Sequence, residues 1–173
     1  MCFNCLFLAI QLLKFSGFSP IITYASERHT DFLKSLGATH ILDRKAVAIQ
    51  DLPAEVKKIT DAPVKVVYDA ISLPDTQEAS YNTLAEGGDL VIVLDSQIKN
   101  PVESKKIHHV FGNVQPQPNR PFGRALYKQL TQFLEDGTIV VCAFSPVPRI
   151  GVVLICRVFS VSSPIVWRSF LMD

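Results

Sequence analysis

The sequence predicts an α/β fold, with one domain built on a doubly wound parallel sheet. Three observations lead to this prediction. Short apolar runs without alternation suit parallel strands that are covered on both faces. These runs alternate with segments of helical period, joined by short connections. The continuous stretch of residues 18–43 contains most of one βαβ unit, and 173 residues are enough for one such domain with a proper core.

The first βαβ unit begins with a strand at residues 20–24, PIITY. Ser26 is placed to cap the following helix, and Glu27 lies in its first turn. Gly37 ends this helix before a second strand at residues 39–42. The apolar stripe of the helix consists of Phe32, Leu33 and Leu36. Ligands of doubly wound sheets bind beyond the carboxyl ends of the strands, so a candidate site lies directly after the first strand.

The remaining elements continue the alternation of helix and strand. Asp75 and Glu78 have the spacing of a capping box at the start of one helix. Residues 142–173 hold apolar residues, prolines and serines in no helical or alternating register, so we assign no fold to this irregular C-terminal tail. Helices are predicted at residues 6–15, 52–59, 75–85 and 121–136, and strands at residues 64–70, 89–94 and 102–112, the last being an edge strand.

Composition argues against several classes of partner. With 17 basic and 16 acidic residues the net charge is +1, which gives no electrostatic reason for nucleic-acid or anionic-membrane binding. Residues 1–13 are apolar but lack the basic start and the cleavage site of a signal peptide, so we predict that they begin the first helix. Residues 150–166 are interrupted by Arg157 and Pro164 and make a poor membrane span. We therefore expect a cytoplasmic protein without nucleic-acid or membrane partners.

Metal-binding and nucleophilic motifs are weak or missing in the sequence. Cys2 and Cys5 form a C-x-x-C pair without a second ligand pair, so buried free thiols are favoured over metal or redox use. His40, His108 and His109 have no cysteine or carboxylate at ligand spacing. No G-x-S-x-G elbow occurs. The sequence predicts no metal site, and no catalytic residue is assigned.

Five segments together resemble a known family. In order they are GFSPIITYAS, FLKSLGATHILDR, VYDAIS, GGDLVIVLD and LTQFLEDGTIV. They resemble the Rossmann-like cofactor-binding domain of medium-chain dehydrogenases and reductases, in particular the zinc-independent fungal trans-enoyl reductase and quinone-oxidoreductase-like branch. The resemblance covers residues 9–141 and implies an NADPH-dependent oxidoreductase that transfers a hydride to an activated double bond or quinone in a small-molecule substrate.

The resemblance also implies that this chain is a fragment. In the family a catalytic domain precedes the cofactor domain, and a glycine-rich turn precedes the helix matched here by residues 8–12. Neither has a counterpart here, so residues 1–141 are expected to form a truncated Rossmann-like domain, followed by the tail at residues 142–173. NADPH binding is then expected to be weak or absent. A second hypothesis is a catalytically inactive, non-enzymatic remnant that binds, at most, a partner through an exposed sheet edge.

The turn after the first strand is the first candidate cofactor site. The resemblance makes Ser26 a contact of a cofactor 2′-phosphate, and Arg28 with a protonatable His29 can add charge-assisted hydrogen bonds. The alternative is that Ser26 only caps the helix and that Arg28 is a solvated charge. Glu27 keeps NADH as an alternative cofactor, because an acidic residue at this place suits a free ribose 2′-hydroxyl.

Three further candidate residues follow later strands. Ser72 comes after the third predicted strand, where the family passes the cofactor's ribose and nicotinamide, and it is interpreted either as a polar donor or as part of a plain turn. Leu94 and Phe111 lie at the ends of the next two predicted strands, close to the nicotinamide position of the relatives. The edge strand near Ile107 and Phe111 is predicted to mediate a homodimer, as the corresponding strand does in the family.

Overall fold

The computed structural model describes residues 3–141 and 153–158, and side chains over residues 6–141. The helices are α1 (Phe3–Phe15), α2 (Thr30–Leu36), α3 (Leu52–Ile59), α4 (Pro74–Thr83) and α5 (Arg120–Glu135). The strands are β1 (Phe18–Ala25), β2 (His40–Asp43), β3 (Val66–Asp69), β4 (Asp89–Ile92), β5 (Lys106–His109) and β6 (Val153–Val158).

The six strands form one sheet in the order β2-β1-β6-β3-β4-β5. Strand β1 pairs in parallel with β2, and β3, β4 and β5 pair in parallel with one another. Strand β6 is antiparallel to both of its neighbours, β1 and β3. The first five strands therefore all run in one direction, which confirms the predicted parallel sheet, and β5 is an edge strand as expected.

Helices cover both faces of the sheet. Strand β1 carries apolar side chains on both of its faces, and each face is buried against a different pair of helices. Ile21 packs against one cluster with residues of α1 and α2, and Ile22 packs against a second cluster with residues of α3 and α4. The first cluster includes Leu6, Phe7, Ile10, Leu33 and Leu36. The second cluster includes Leu52, Val56, Ala79, Leu84 and Leu90. A strand buried on both faces has no polar alternation, which is the pattern that predicted it.

Two helix starts differ from the sequence prediction. After β1 a 3-10 turn, Glu27–His29, precedes α2, and the Ser26 side chain makes no capping hydrogen bond, so the predicted cap is wrong. The predicted capping box at Asp75 is also wrong. Helix α4 begins one residue earlier, and the Thr76 hydroxyl accepts a hydrogen bond from the backbone N–H of Leu73 at 3.0 Å. The end of α2 at Gly37 is confirmed, with φ +125°.

Part of the tail is ordered as a strand, which the sequence pattern did not predict. Residues 153–158, VLICRV, form β6 in the middle of the sheet. The sequence VLICRV shows no regular alternation of apolar and polar residues, so pattern alone did not identify it as a strand. Predictions for residues 142–152 and 159–173 lie outside the described residues. No helix in the described part of the chain is long and apolar enough to cross a membrane.

Candidate cofactor site at the carboxyl edge of the sheet

The parallel strands bring the predicted site residues to one edge of the sheet. Ser26 directly follows β1, Ser72 follows β3, and Leu94 and Phe111 follow β4 and β5. Strand order reverses between the half-sheet β2-β1 and the half-sheet β3-β4-β5, which is the place where doubly wound sheets bind dinucleotides. At that place Val153, the first residue of β6, pairs with Tyr24 of β1 and with Asp69 of β3. The predicted residues therefore lie on both sides of the reversal point.

The polar turn after β1 presents a serine hydroxyl and an arginine. Ser26 is 5% exposed, and its carbonyl accepts a hydrogen bond from the His29 N–H at 3.0 Å. Its side chain makes no capping bond, so the interpretation of Ser26 as a mere helix cap loses its support. Arg28 donates from Nε to Nε2 of His29 at 2.9 Å, and both side chains are accessible at the surface. Arg28 is therefore exposed to solvent and also hydrogen-bonded to His29.

His29 acts as an acceptor in this geometry. Burial, followed by repulsion from Arg28 and Arg44, lowers the pKa of His29 below its ordinary value of 6.5. The bond from Arg28 requires a neutral imidazole that carries its proton on Nδ1. The sequence analysis treated His29 as a protonatable donor for a phosphate. With His29 neutral, the positive charge that could bind a phosphate comes from Arg28 and Arg44 instead.

Arg44 was missed by the sequence analysis. It directly follows β2, and its N–H donates to the carbonyl of Ala25 at 3.0 Å, so it lies beside the end of β1. Its charge acts on both His29 and the Tyr24 hydroxyl. The sequence held a signal for Arg44. The chain reads Asp-Arg-Lys directly after the predicted second strand at residues 39–42, and neighbouring parallel strands end at the same edge of a sheet.

Asp43, the last residue of β2, fixes the same turn from the other side. Its Oδ1 accepts hydrogen bonds from the N–H of Glu27 at 3.3 Å and from the N–H of Lys45 at 3.2 Å. These two backbone donors partly offset its charge toward any phosphate nearby. The turn region therefore carries charges of both signs, from Arg28 and Arg44 and from Glu27 and Asp43.

A buried carboxylate shapes the turn after β3. Asp69 is 0% exposed, and its Oδ1 accepts hydrogen bonds from the N–H groups of Ile71 at 2.9 Å and Ser72 at 2.8 Å. Its Oδ2 accepts a hydrogen bond from the Thr76 hydroxyl at 2.7 Å. Burial raises the pKa of Asp69, against the opposite effect of these donors. The carboxylate thus holds the backbone of the turn in one conformation.

Ser72 belongs to this buried network. Its φ is +56°, and its hydroxyl donates to the Asp69 carbonyl at 2.7 Å while it accepts from the Val93 N–H at 2.9 Å. The single hydroxyl proton is therefore already used, and the predicted role of Ser72 as a side-chain donor to a cofactor does not fit. The alternative in the sequence analysis, a turn residue, fits this geometry.

Gln77 joins the ends of β3 and β4. It is completely buried, and its Nε2 donates to the carbonyls of Ser72 at 2.8 Å and Asp95 at 3.0 Å. Its Oε1 accepts a hydrogen bond from the Gln97 N–H at 2.8 Å. A helix residue that binds two loops in this way cannot be identified from spacing, and the sequence analysis missed it.

An apolar rim follows β4 and β5. Leu94 is 48% exposed and Phe111 is 77% exposed, and the strands that precede them pair at Ile92 and His109. Leu73 and Val110 also expose large parts of their side chains nearby along the same edge. Both predicted residues are therefore available to an apolar ring of a ligand. Among the described residues no group of three or more His, Cys, Asp or Glu side chains could hold a metal ion.

Comparison with known proteins relates the chain to reductases. It is 40% identical over 81 residues to the trans-enoyl reductase FSL5 of Gibberella zeae, which covers 47% of this chain and 21% of that protein. It is 34% identical over 92 residues to the trans-enoyl reductase TOXD of Cochliobolus carbonum, covering 53% of this chain and 30% of that protein. A zinc-type alcohol dehydrogenase-like protein of Schizosaccharomyces pombe is 28% identical over 147 residues. The chain thus spans well under half of each of these relatives.

Solved structures show the same fold. The nucleotide-binding subdomain of the enoylreductase domain of PpsC from Mycobacterium tuberculosis matches with a TM-score of 0.60 at 22% identity, covering 79% of both chains. A putative enoyl reductase domain of a polyketide synthase matches with a TM-score of 0.59 at 23% identity, covering 78% of this chain and 77% of that one. The family model described as zinc-binding dehydrogenase matches residues 7–110. Because these residues make up more than half of the chain, the protein belongs to the zinc-binding dehydrogenase family, within the medium-chain dehydrogenase/reductase superfamily.

Proposed function

We propose that this chain is the cofactor-binding half of an NADPH-dependent oxidoreductase of the enoyl reductase or quinone reductase type. The observation that carries the proposal is the turn at the carboxyl edge of the sheet, where Ser26 and Arg28 follow β1 and the backbone N–H of Arg44 bonds to the carbonyl of Ala25. The relatives named as trans-enoyl reductases support the reaction class. When bound, the cofactor supplies the hydride, and the protein supplies binding and orientation.

The residues of the turn fit a 2′-phosphate better than a free ribose hydroxyl. Two guanidinium groups and a hydroxyl without a capping bond are donors that a phosphate needs. Asp43, the carboxylate that could bind a ribose hydroxyl, already accepts two backbone hydrogen bonds. Glu27 still opposes the phosphate through its charge. We expect a preference for NADPH over NADH of about tenfold, which corresponds to about 1.4 kcal/mol.

The other end of the site would orient the nicotinamide. The network around Asp69 and Gln77 fixes the backbone of the turn after β3, and Leu94 and Phe111 offer apolar contact beside it. The middle of the site is poorer. Leu6 and Phe7, in the first turns of α1, are buried in the core, and Gly-rich backbone for a pyrophosphate does not occur among residues 3–17. We therefore expect weak binding.

The test is calorimetric titration of the full chain with NADPH and with NADH. Arg28→Ala, Arg44→Ala and Ser26→Ala are each expected to lower the affinity for NADPH, by up to about tenfold for an arginine, and to leave the affinity for NADH unchanged. Lys57→Ala, which removes an exposed charge on α3, is the matched control. Tight binding of either cofactor, or a preference for NADH that survives the substitutions, would overturn the proposal.

The second candidate is a non-enzymatic protein that binds a partner through its exposed edge. The exposure of Phe111 beside the edge strand β5 favours it, since an apolar side chain at an unpaired edge tends to find a partner. Binding of neither cofactor, together with a stable complex through β5, would favour this candidate. The same edge supports the predicted homodimer, and location in the cytoplasm stays a prediction.

A further inference from the structure

Helix α5 and the segment before it carry only positive charge as far as residue 134. From residue 104 to residue 134 the sequence contains five lysines and arginines and no aspartate or glutamate. Residues 1–103 contain nine basic and thirteen acidic residues, so the excess charge there has the opposite sign. The net charge of +1 for the whole chain therefore conceals a cationic region beside a mildly acidic one.

Three of these cations lie along one face of α5 and line a groove. Arg120, Arg124 and Lys128 follow one another at intervals of four residues, so they form a row of about 12 Å on one side of the helix. The groove has a volume of about 600 Å³ and is open to solvent. No acidic side chain is among the described residues that line it. The cationic row therefore faces an accessible groove without a negative charge of its own.

The loop before α5 forms the second wall of this groove. The N–H of Gln115 donates to Oδ1 of Asn113 at 2.9 Å, and the carbonyl of Gln115 accepts from Nε of Arg120 at 2.7 Å. Gly123 allows the loop to approach the helix closely, because a Cβ atom at this position would lie 2.8 Å from Cβ of Val114. The groove is therefore formed before any partner binds.

The positive charges of the row are not used within the described part of the chain. The ion pairs found there all involve other residues, so Arg124 and Lys128 have no carboxylate partner in it. Arg120 uses one of its five N–H groups for the loop carbonyl. The first turn of α5 contains no acidic residue, although negative charge is favoured at that end of a helix. Charge placed in this way does not serve the stability of α5 and is available to a partner.

The geometry of the row favours an acidic helix over other anionic partners. All three cations are exposed and spread over about 12 Å, which suits contact with a second surface more than enclosure of a small anion. Carboxylates four residues apart on a helix repeat at the same spacing of about 6 Å. Tyr127, which also lines the groove, is 62% exposed and offers a ring to an apolar side chain. Three cations on a chain of net charge +1 are few for a nucleic acid.

We propose that the groove along α5 is the docking site for an acidic helix of a partner protein. Carboxylates at every fourth position of that helix pair with Arg120, Arg124 and Lys128, and an apolar side chain beside them contacts Tyr127. Because exposed ion pairs are individually weak, we expect a dissociation constant of about 10–100 μM at low salt. Binding should weaken by about tenfold or more when the ionic strength rises to about 0.3 M. The site lies on α5 and does not depend on the proposed cofactor.

The test is fluorescence anisotropy of the full chain with a labelled helical peptide that repeats Glu-Ala-Ala-Leu. Arg124→Gln and Lys128→Gln are each expected to weaken binding by about threefold to tenfold, and the double variant by about twentyfold or more. A double variant of Lys57→Gln and Lys99→Gln, which removes the same net charge at exposed positions elsewhere, is the matched control and should stay within about twofold of wild type. A peptide that repeats Gln-Ala-Ala-Leu should not bind.

Urea unfolding separates lost docking from lost folding. Arg124 and Lys128 are exposed and have no ion pair in the described part of the chain, so the unfolding midpoint of their double variant should equal that of the wild type. The salt series and the glutamine peptide need only wild-type protein, so the proposal is tested even where a variant fails to fold.

Four results would overturn the proposal. Equal binding of the glutamine peptide would show that charge does not direct docking. Equal losses in the Lys57 and Lys99 control would show that only net charge matters. Displacement of the acidic peptide by NADPH or by pyrophosphate at micromolar concentration would assign the row to a small anion. Binding of duplex DNA more tightly than the peptide, with loss in the double variant of Arg124 and Lys128, would assign it to a nucleic acid.

Discussion

The buried carboxylate of Asp69 allows the sharpest test of the polar network at the candidate site. In Asp69→Ala the N–H groups of Ile71 and Ser72 lose their acceptor, at a cost of about 1–3 kcal/mol each. The Thr76 hydroxyl can still donate to the Leu73 carbonyl at 3.0 Å, so the loss of its hydrogen bond to Asp69 adds little. The free energy of unfolding should therefore fall by about 2–6 kcal/mol.

Asp69→Asn separates the shape of this side chain from its charge. The amide oxygen can accept both backbone hydrogen bonds as the carboxylate does, and the amide nitrogen can face the Thr76 hydroxyl. Burial raises the pKa of Asp69 above its ordinary value of 3.8, so the contribution of this group to stability is complete below about pH 3.8 and is lost as the pH rises through the folded-state pKa. The side chain of the asparagine variant does not ionise, so its stability does not fall with pH for this reason.

The assay is urea unfolding of wild type and Asp69→Asn at a series of pH values between about 3.5 and 8. This range extends from the ordinary carboxyl pKa to well above it. The free energy of unfolding of Asp69→Asn minus that of the wild type should increase with pH above about 4 and then level off. Asp61→Asn, at an exposed position, is the matched control for the substitution itself. A difference that decreases with pH would refute the reasoning, because the three donors would then outweigh burial and lower the pKa.

Three further predictions concern other regions. Gln11→Met removes two part-buried hydrogen bonds to Val140 and should lower the free energy of unfolding by about 1–3 kcal/mol in urea. Thr23→Val replaces a buried hydroxyl that has no hydrogen-bond partner among the described groups, so it should raise the free energy of unfolding by up to about 1 kcal/mol in thermal unfolding. Phe111→Asp places a charge beside the edge strand β5 and should convert the proposed dimer to monomer in sedimentation velocity.

Each of these predictions has a control or a result that contradicts it. Unchanged stability of Gln11→Met would mean that α1 is not fastened through the segment after α5. A destabilised Thr23→Val would show that the hydroxyl has a partner after all. Tyr127→Asp, which places the same charge on the exposed surface of α5, should leave the dimer intact. A wild-type chain that is monomeric at high concentration would contradict the proposed association through β5.

The sequence predicted the elements whose residues lie close together in the chain. Residues 18–43 show strand, turn, helix and strand in order, and the structure confirms this βαβ unit. The candidate turn at Ser26 followed from the same local pattern. Arg44 was missed because its place beside that turn depends on the pairing of Ala25 with Asp43, which is a property of the sheet. The polar network of Asp69 was missed for a related reason, since its partner groups are mostly backbone atoms that have no sequence signature.

Strand β6 marks the limit of prediction from pattern. It pairs with β1 across about 130–140 residues of sequence, and its sequence VLICRV shows no regular alternation to detect. Its antiparallel direction was also unexpected, because local βαβ units suggest parallel neighbours only. Pattern could identify which residues favour a strand, but the position of β6 between β1 and β3 depends on pairings with strands far away in the sequence.

The place of β6 also links the architecture to the proposed cofactor site. Arg28 and Arg44 belong to the half-sheet β2-β1, whereas the Asp69 turn, Leu94 and Phe111 belong to the half-sheet β3-β4-β5. A dinucleotide that contacts both groups has to pass the amino end of β6, where Val153 lies. The distance between the two groups is fixed by the two ladders of β6. A substitution that loosens β6 should therefore weaken NADPH binding without touching a residue that contacts the cofactor, and the loss should be larger for the whole dinucleotide than for 2′-phospho-AMP, which needs only the first half-sheet.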